Sequence, residues 1–282
     1  MPFSETRTQN KGSLTVIYSD PGFGKTGLAA GFLKELYERY GLKAVYGDLW
    51  EGGDITIPPG LPAIWWQPDT TQPPISEAMR LLHGLQGMEC SGFAGDTISS
   101  MGEQFLNDTV AQDLSDKETK RVRVKSGGEE VPVPGLLDYK AAQTAFGQWM
   151  LECGKLLYQG KHVLLLAHER LLETTSDAGV VLKAVGGPEV VGSKLTRTLP
   201  KVPHVSARIY CKRVGGGIRR YLQTESDSLH ICKDRLKVFP PSGVDITADL
   251  GNSPAEFEAN IVAQGQKVFK MIFDKMDSLK EN

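Results

Sequence analysis

Apolar positions follow two alternating rhythms along this chain. Short unbroken apolar runs, LTVIYS (14–19), LKAVYGD (42–48), PAIWWQP (62–68), CSGFAGD (90–96) and HVLLLAHE (162–169), have the length and the β-branched or aromatic content of buried strands. Between them stand segments with apolar residues at helical spacing: Leu28, Phe32, Leu33 and Leu36 after the first run, Met79, Leu82 and Leu85 in 76–88, and Phe146, Met150 and Leu157 in 138–158. Strands alternating with helices predict an α/β fold with a doubly wound, mostly parallel sheet. A polar arm, 1–13, precedes a core spanning 14–252, and residues 107–136 interrupt that core with charge, Gly and Pro and read as a mobile insertion. Late in the core, SARIYCKRVGGGIRRYLQTES reads as two β runs about a Gly-Gly-Gly turn, with LHICKDR as a third. The segment 253–282 opens with Ser-Pro-Ala-Glu, a capping box with Pro at the first helical position, and continues as an amphipathic helix through Phe257, Ile261, Val268 and Ile272.

Candidate chemistry sits where the first strand meets the first helix. Asp20, Pro21, Gly22, Phe23, Gly24, Lys25, Thr26 and Gly27 form a glycine-rich loop running into a helix N-terminus, the pattern of a P-loop. Glycines there let successive N–H groups point into one concavity, and the helix adds its positive dipole end. Lys25 is placed to meet β and γ phosphates, and the Thr26 hydroxyl to ligate Mg²⁺. The first glycine of G-x-x-x-x-G-K-[ST] is replaced by Ser19.

Hydrolysis needs further groups. Asp96, at the end of a short apolar strand, is the candidate outer carboxylate for the metal. Glu51, just past the second strand, is the candidate base for an attacking water, with Asp48 as its alternative. His168 and Glu169 end the HVLLLAHE strand on the same edge, where a polar tip could sense a γ-phosphate. For contact with a polyanion, the basic run Lys120, Arg121, Arg123 and Lys125 in the insertion, and Arg219 and Arg220 beside Tyr221, are the candidates. Trp65 and Trp66 read as core residues of a strand.

Composition adds bounds to this picture. With 282 residues, 40% hydrophobic and 23% charged, the chain has the make-up of a globular protein able to bury one full α/β core. A net charge of −2 neither calls for nor excludes a nucleic-acid partner. Cys90, Cys153, Cys211 and Cys232 form no C-x-x-C pair and no zinc spacing, so they are expected to be reduced. The polar first residues and the shortness of the apolar runs predict a cytoplasmic protein with no membrane association.

The order of these motifs resembles a known family. A P-loop, a strand followed by Asp-x-x-Glu-Gly-Gly, a strand ending Asp-Thr, Asp-Tyr before a helix, a strand ending Ala-His-Glu, Gly-Pro then Gly-x-x-Leu, and Lys-Asp-Arg look like the RecA-like ATPases of bacteriophages, often described as single-strand annealing proteins. The resemblance covers most of residues 14–250. It implies a RecA-like P-loop NTPase core, ATP with Mg²⁺ as cofactors, and single-stranded DNA as partner. It also implies a homo-oligomer, with single-strand-binding or other recombination proteins as further partners, in the host cytoplasm. It places phosphate binding on Gly22, Gly24, Lys25 and Thr26, the metal on Asp96 and the base on Glu51. Such proteins complete their sites with a cation from the next subunit, which points to Lys233 and Arg235. The family's Asp-x-Glu has one extra residue here, and Ser19 is the second departure. Two other classes share a P-loop: a nucleotide-dependent interaction module that hydrolyses poorly, and a small-molecule kinase.

Overall fold

The computed structural model describes residues 12–52, 57–114, 123–126, 129–176 and 181–279. Its elements are, in order, β1 (Leu14–Ser19), α1 (Lys25–Tyr40), β2 (Ala44–Asp48), β3 (Ala63–Trp66), α2 (Pro74–Gly87), β4 (Gly92–Asp96), α3 (Ile98–Leu114), β5 (Arg123–Ser126), β6 (Glu129–Pro132), α4 (Leu136–Tyr158), β7 (His162–Thr175), β8 (Val181–Pro188), α5 (Ser193–Thr198), β9 (Val205–Val214), β10 (Gly217–Gln223), β11 (Lys233–Asp234), β12 (Val244–Asp245) and α6 (Pro254–Ser278). Ten strands form one sheet in the order β12-β10-β9-β1-β7-β4-β2-β3, with β11 paired to β9 and β8 to β7. Neighbours from β9 to β3 run parallel, while β8, β10, β11 and β12 attach antiparallel. This is the expected doubly wound, mostly parallel α/β fold with late β runs and a terminal helix.

Strand alternation divides the apolar residues between two layers. On β1 and β7, Val16, Tyr18, Val163, Leu165 and Ala167 face a cluster shared with α2, α3 and α4. Ile17, Leu164 and Leu166 face the other cluster, built with α1 and α6. Because both sheet faces are covered, β1 and the first six residues of β7 are buried at every position, and they read as largely apolar runs. Ser253 caps α6 by accepting the Glu256 N–H, as its sequence predicts. Helices α1 and α6 meet along glycines: a Cβ at Gly27 would overlap Ile261, and one at Gly31 the backbone of Gly265 and Gln266.

Two local expectations differ from the structure. Residues 107–114, placed in the insertion, complete α3, and Asp108, Thr109 and Val110 are buried. The reason is a service to a neighbour: α2 has no side-chain cap of its own, and the Asp108 carboxylate accepts the Ile75 N–H in its first turn at 3.2 Å. The rest of that stretch contains the hairpin β5–β6. Trp66 packs against the core, but Trp65, on the edge strand β3, is 46% exposed and meets Tyr46 edge-on. Among the described residues no helix is long and apolar enough to cross a membrane.

Candidate functional site

The carboxyl-terminal ends of β1, β4 and β2 share one edge of the sheet, where open α/β folds bind ligands, with the middle of β7, which does not end at His168 and Glu169 as expected but continues to Thr175 by pairing with β8. Ser19 lies beside His168 in the β1–β7 register, and Asp48 beside Asp96 in that of β2 and β4. Ser19 is the last residue of its strand, fully buried, with its hydroxyl donating to the Asp20 carbonyl at 2.9 Å. No left-handed backbone is needed there, so glycine is dispensable. It is needed at Gly22 and Gly24, whose φ values are 78° and 93°.

The loop encloses a cavity of about 330 Å³ lined by Pro21, Gly22, Gly24, Lys25, Thr26 and Gly27 on one side and by Glu51, Asp96, Thr97 and His168 on the other. Of the remaining predicted loop residues, Asp20 contributes its carbonyl and Phe23 lines a neighbouring cavity. The ammonium of Lys25 donates to the carbonyls of Ser19 (3.1 Å) and Asp20 (3.2 Å) and approaches His168 Nδ1 at 3.4 Å. Burial lowers its pKa, opposed by the charges of Asp96, Glu51 and Asp20. The Thr26 hydroxyl donates to Asp96 Oδ2 at 2.8 Å, and the Tyr46 hydroxyl to the same oxygen at 3.0 Å. Asp96 is 1% exposed, and this burial raises its pKa in spite of those two bonds and the charge of Lys25.

Glu51 is aimed into the cavity by its own turn. Asp48 Oδ1 accepts the N–H groups of Glu51 (2.8 Å) and Gly52 (2.9 Å), and Trp50 between them adopts φ 65°, a left-handed angle costly for a bulky residue. Asp48 thereby holds the turn that presents Glu51. The Glu51 carboxylate accepts from His168 Nε2 (2.8 Å), Thr97 Oγ1 (2.9 Å) and Ser100 Oγ. Desolvation pushes its pKa up, but the bonds from His168, Ser100 and Thr97 outweigh it and hold the pKa at about 2. An ammonium can only donate, so His168 accepts from Lys25 on Nδ1 and donates from Nε2 to Glu51. Lys25, His168 and Glu51 thus form one hydrogen-bonded chain across the cavity.

This donor set fits a nucleotide with Mg²⁺. Glycines at positive φ open the phosphate cradle, and the Thr26 hydroxyl and Asp96 carboxylate, the two groups that would hold a cation, stand in contact beside it. Among the described residues no group of three or more His, Cys, Asp or Glu gathers into a dedicated metal cage. Mg²⁺ at phosphate sites does not require one, because it keeps water and phosphate ligands.

Other predicted residues lie elsewhere. Glu169 turns away from the cavity and pairs with Arg208 (2.8 Å) and His230 (3.1 Å). Lys233 pairs in register with Ser206, near the start of β9, and the Arg235 N–H bonds the His204 carbonyl. Both sit toward the opposite edge of the parallel sheet from this chain's own P-loop, because β11 runs antiparallel to β9; the Arg235 guanidinium donates to the Lys201 carbonyl. Lys120 and Arg121 lie outside the described residues, while Arg123 and Lys125 belong to β5. Arg219 and Arg220, adjacent in sequence, occupy opposite faces of β10. Arg219 pairs with Asp245 at 2.8 Å, on the face where Tyr221 stacks on Tyr210 at 5.6 Å and Lys212 stands over both rings. Arg220 shares its face with buried Leu222 and reaches the P-loop. Thr97 and Ser100 are site residues to which the sequence reading assigns no role; the hydroxyl-rich run Thr97-Ile98-Ser99-Ser100 directly after Asp96 is the signal that marks them.

No protein-family model matches the chain, and no curated protein does. Among solved structures, the chain is similar to a KaiC-like protein from the hyperthermophilic archaeon Pyrococcus horikoshii OT3, with 11% identity, 75% of this chain and 77% of that one covered, and a TM-score of 0.42. It is also similar to the flagellar accessory protein FlaH from Methanocaldococcus jannaschii, with 10% identity, 75% and 76% covered, and a TM-score of 0.41. At this level of identity and superposition, neither likeness carries substrate, partner or site residues to this chain.

Proposed function

We propose that this protein is a RecA-like ATPase that binds and hydrolyses ATP with Mg²⁺ and acts on single-stranded DNA in phage recombination or replication. The observation that carries the catalytic part is the cavity in which the P-loop Lys25, the Thr26–Asp96 pair and the Glu51 carboxylate converge. Thr26 and Asp96 would hold Mg²⁺, which would supply positive charge to the phosphates. Lys25 exchanges the Ser19 and Asp20 carbonyls for phosphate oxygens, which are stronger acceptors because they are charged. That exchange releases His168 Nδ1 from Lys25, while Nε2 keeps its bond to Glu51. Glu51 orients the attacking water and takes its proton; Thr97, Ser100 and Asp48 fix its position. With a pKa of about 2 in the resting arrangement Glu51 is a weak base. That observation favours a second reading, a nucleotide-dependent interaction module that hydrolyses slowly.

For DNA, the support is the face of β9 and β10 where the stacked Tyr210–Tyr221 pair lies under Lys212, an aromatic and cationic surface suited to bases and phosphates. Phosphate release should require Mg²⁺, stop with chelator, and rise with single-stranded oligonucleotide. Tyr221→Ala should weaken oligonucleotide binding by about tenfold, since stacking on one ring contributes ~1–3 kcal/mol. Oligonucleotide affinity equal to wild type would remove this face from the reading, and no Mg²⁺-dependent release would remove hydrolysis.

A cation supplied by a neighbour accounts for Arg235, which lies far from its own P-loop. Arg235→Ala and Lys25→Ala chains, each inactive alone, should regain activity when mixed, since some interfaces pair an intact loop with an intact cation. Continued inactivity in a verified mixed oligomer would assign Arg235 a structural role.

A further inference from the structure

A second cavity, of about 240 Å³, adjoins the phosphate cavity across Gly22, Gly24 and Ile261, which line both. Its other walls include Phe23 of the loop, Arg220 of β10, Ala248, and Phe257 and Gln264 of α6. Pockets that enclose small ligands run to about 300–1,000 Å³. The phosphate cavity alone is at the bottom of that range, and the joined pair is well inside it.

Two polar groups at the second cavity have unused capacity. Arg220 Nε is buried and has no hydrogen-bond partner among the described residues. It stands 3.9 Å from the point where a Cβ on Gly24 would be, so it lies against the phosphate loop. A buried donor without an acceptor is unfavourable, and an oxygen arriving beside Gly24 would relieve it. Gln264 donates from Nε2 to the Thr247 carbonyl at 3.2 Å. A carbonyl can only accept, so this bond fixes the amide orientation and leaves Oε1 as an acceptor. Around these two groups the lining is apolar, from Phe23, Ala248, Phe257 and Ile261.

The geometry points to this cavity as the nucleoside subsite, formed jointly by β10 and the terminal helix α6. The base rests on the apolar wall and offers an exocyclic amine to Gln264, while Arg220 donates to the ribose or the α-phosphate. The assignment depends on the P-loop binding a nucleoside triphosphate, as proposed above. It gives α6 a direct part in recognition, because Ile261 both packs over Gly27 of the phosphate-binding helix and divides the two cavities.

The test compares three Mg²⁺ complexes by titration calorimetry: ATP, ITP, which has the same size without the amine, and inorganic tripolyphosphate, which has no nucleoside. Wild type should bind ATP more tightly than the other two. Ala248→Trp, which fills the cavity, should reduce ATP affinity to that of tripolyphosphate while leaving tripolyphosphate binding unchanged. Gln264→Leu, similar in size, should weaken ATP by about fivefold to tenfold, with ITP hardly affected. If Ala248→Trp fails to fold, as judged by its melting curve, Gln264→Leu decides alone. Folded variants that bind ATP as wild type does would overturn the inference and leave the P-loop untouched. Failure of wild type to bind either ATP or tripolyphosphate would overturn the P-loop reading, and this inference with it.

Discussion

Lys25→Ala lowers Mg-ATP affinity by about 100-fold and brings phosphate release to background, while the melting temperature stays within a few degrees of wild type. A hydrogen bond from a charged donor to a charged acceptor contributes ~1.5–3 kcal/mol, and each 1.4 kcal/mol is tenfold in binding. Lys25 makes such contacts only when phosphate is present; without ligand its partners are loop carbonyls and His168. The loss also reaches the metal position. Lys25 lowers the pKa of Asp96, so its removal lets burial raise that carboxyl further and makes Mg²⁺ binding more sensitive to acid. Lys25→Met, which keeps the buried stem, should behave alike and separates loss of charge from loss of packing. Calorimetry and a phosphate-release assay read both effects; wild-type affinity in either variant would end the P-loop assignment.

Glu51→Gln lowers kcat by roughly 10²–10⁴, the usual contribution of a positioned base, with ATP affinity changed by less than about threefold. Glutamine keeps the size and can still accept from Thr97 and Ser100 on its one oxygen, while its amide NH2 replaces the oxygen that accepts from His168 and proton acceptance is lost. Asp48→Asn should produce a smaller loss in kcat, because its carboxylate only shapes the turn through the N–H groups of Glu51 and Gly52. A larger effect at Asp48 than at Glu51 would reverse the two roles. Stability provides an independent check. The folded-state pKa of Glu51 is depressed from 4.5 to about 2, so its stabilising contribution is present above pH 4.5 and is lost as pH falls toward 2. The difference in urea midpoint between wild type and Glu51→Gln should therefore shrink across that interval.

What the sequence discloses depends on how locally each feature is determined. The P-loop is readable because two glycines, a lysine and a threonine act within one turn, and Asp96 because a short apolar strand leads to it. Helix α3 is obscured by its composition: it follows Thr97, opens with the β-branched and hydroxyl residues Ile98, Ser99 and Ser100, carries Gly102 against the Val191 backbone, and ends in a polar run whose Asp108 serves another helix. Arg219 and Arg220 look like one basic patch until strand alternation separates them. The position of Arg235 depends on β11 being antiparallel to β9, a long-range pairing with no local signature.

The close seam between α1 and α6 determines where the protein can be cut. At Gly31 and Gly265 the helix backbones come so close that no side chain fits between them, Ile261 packs over Gly27, and Phe269, Ile272 and Phe273 of α6 are fully buried beside that contact. A chain ending at residue 252 would lose more than an appendage. It would expose the apolar residues of α1 and of the sheet that pack with α6, and remove Ile261 from the wall of the P-loop cavity. Such a fragment should be recovered as aggregate instead of a smaller working core, since α6 stays anchored nearly to its end, with Met276 buried and Asp277 paired to Arg39 at 2.7 Å.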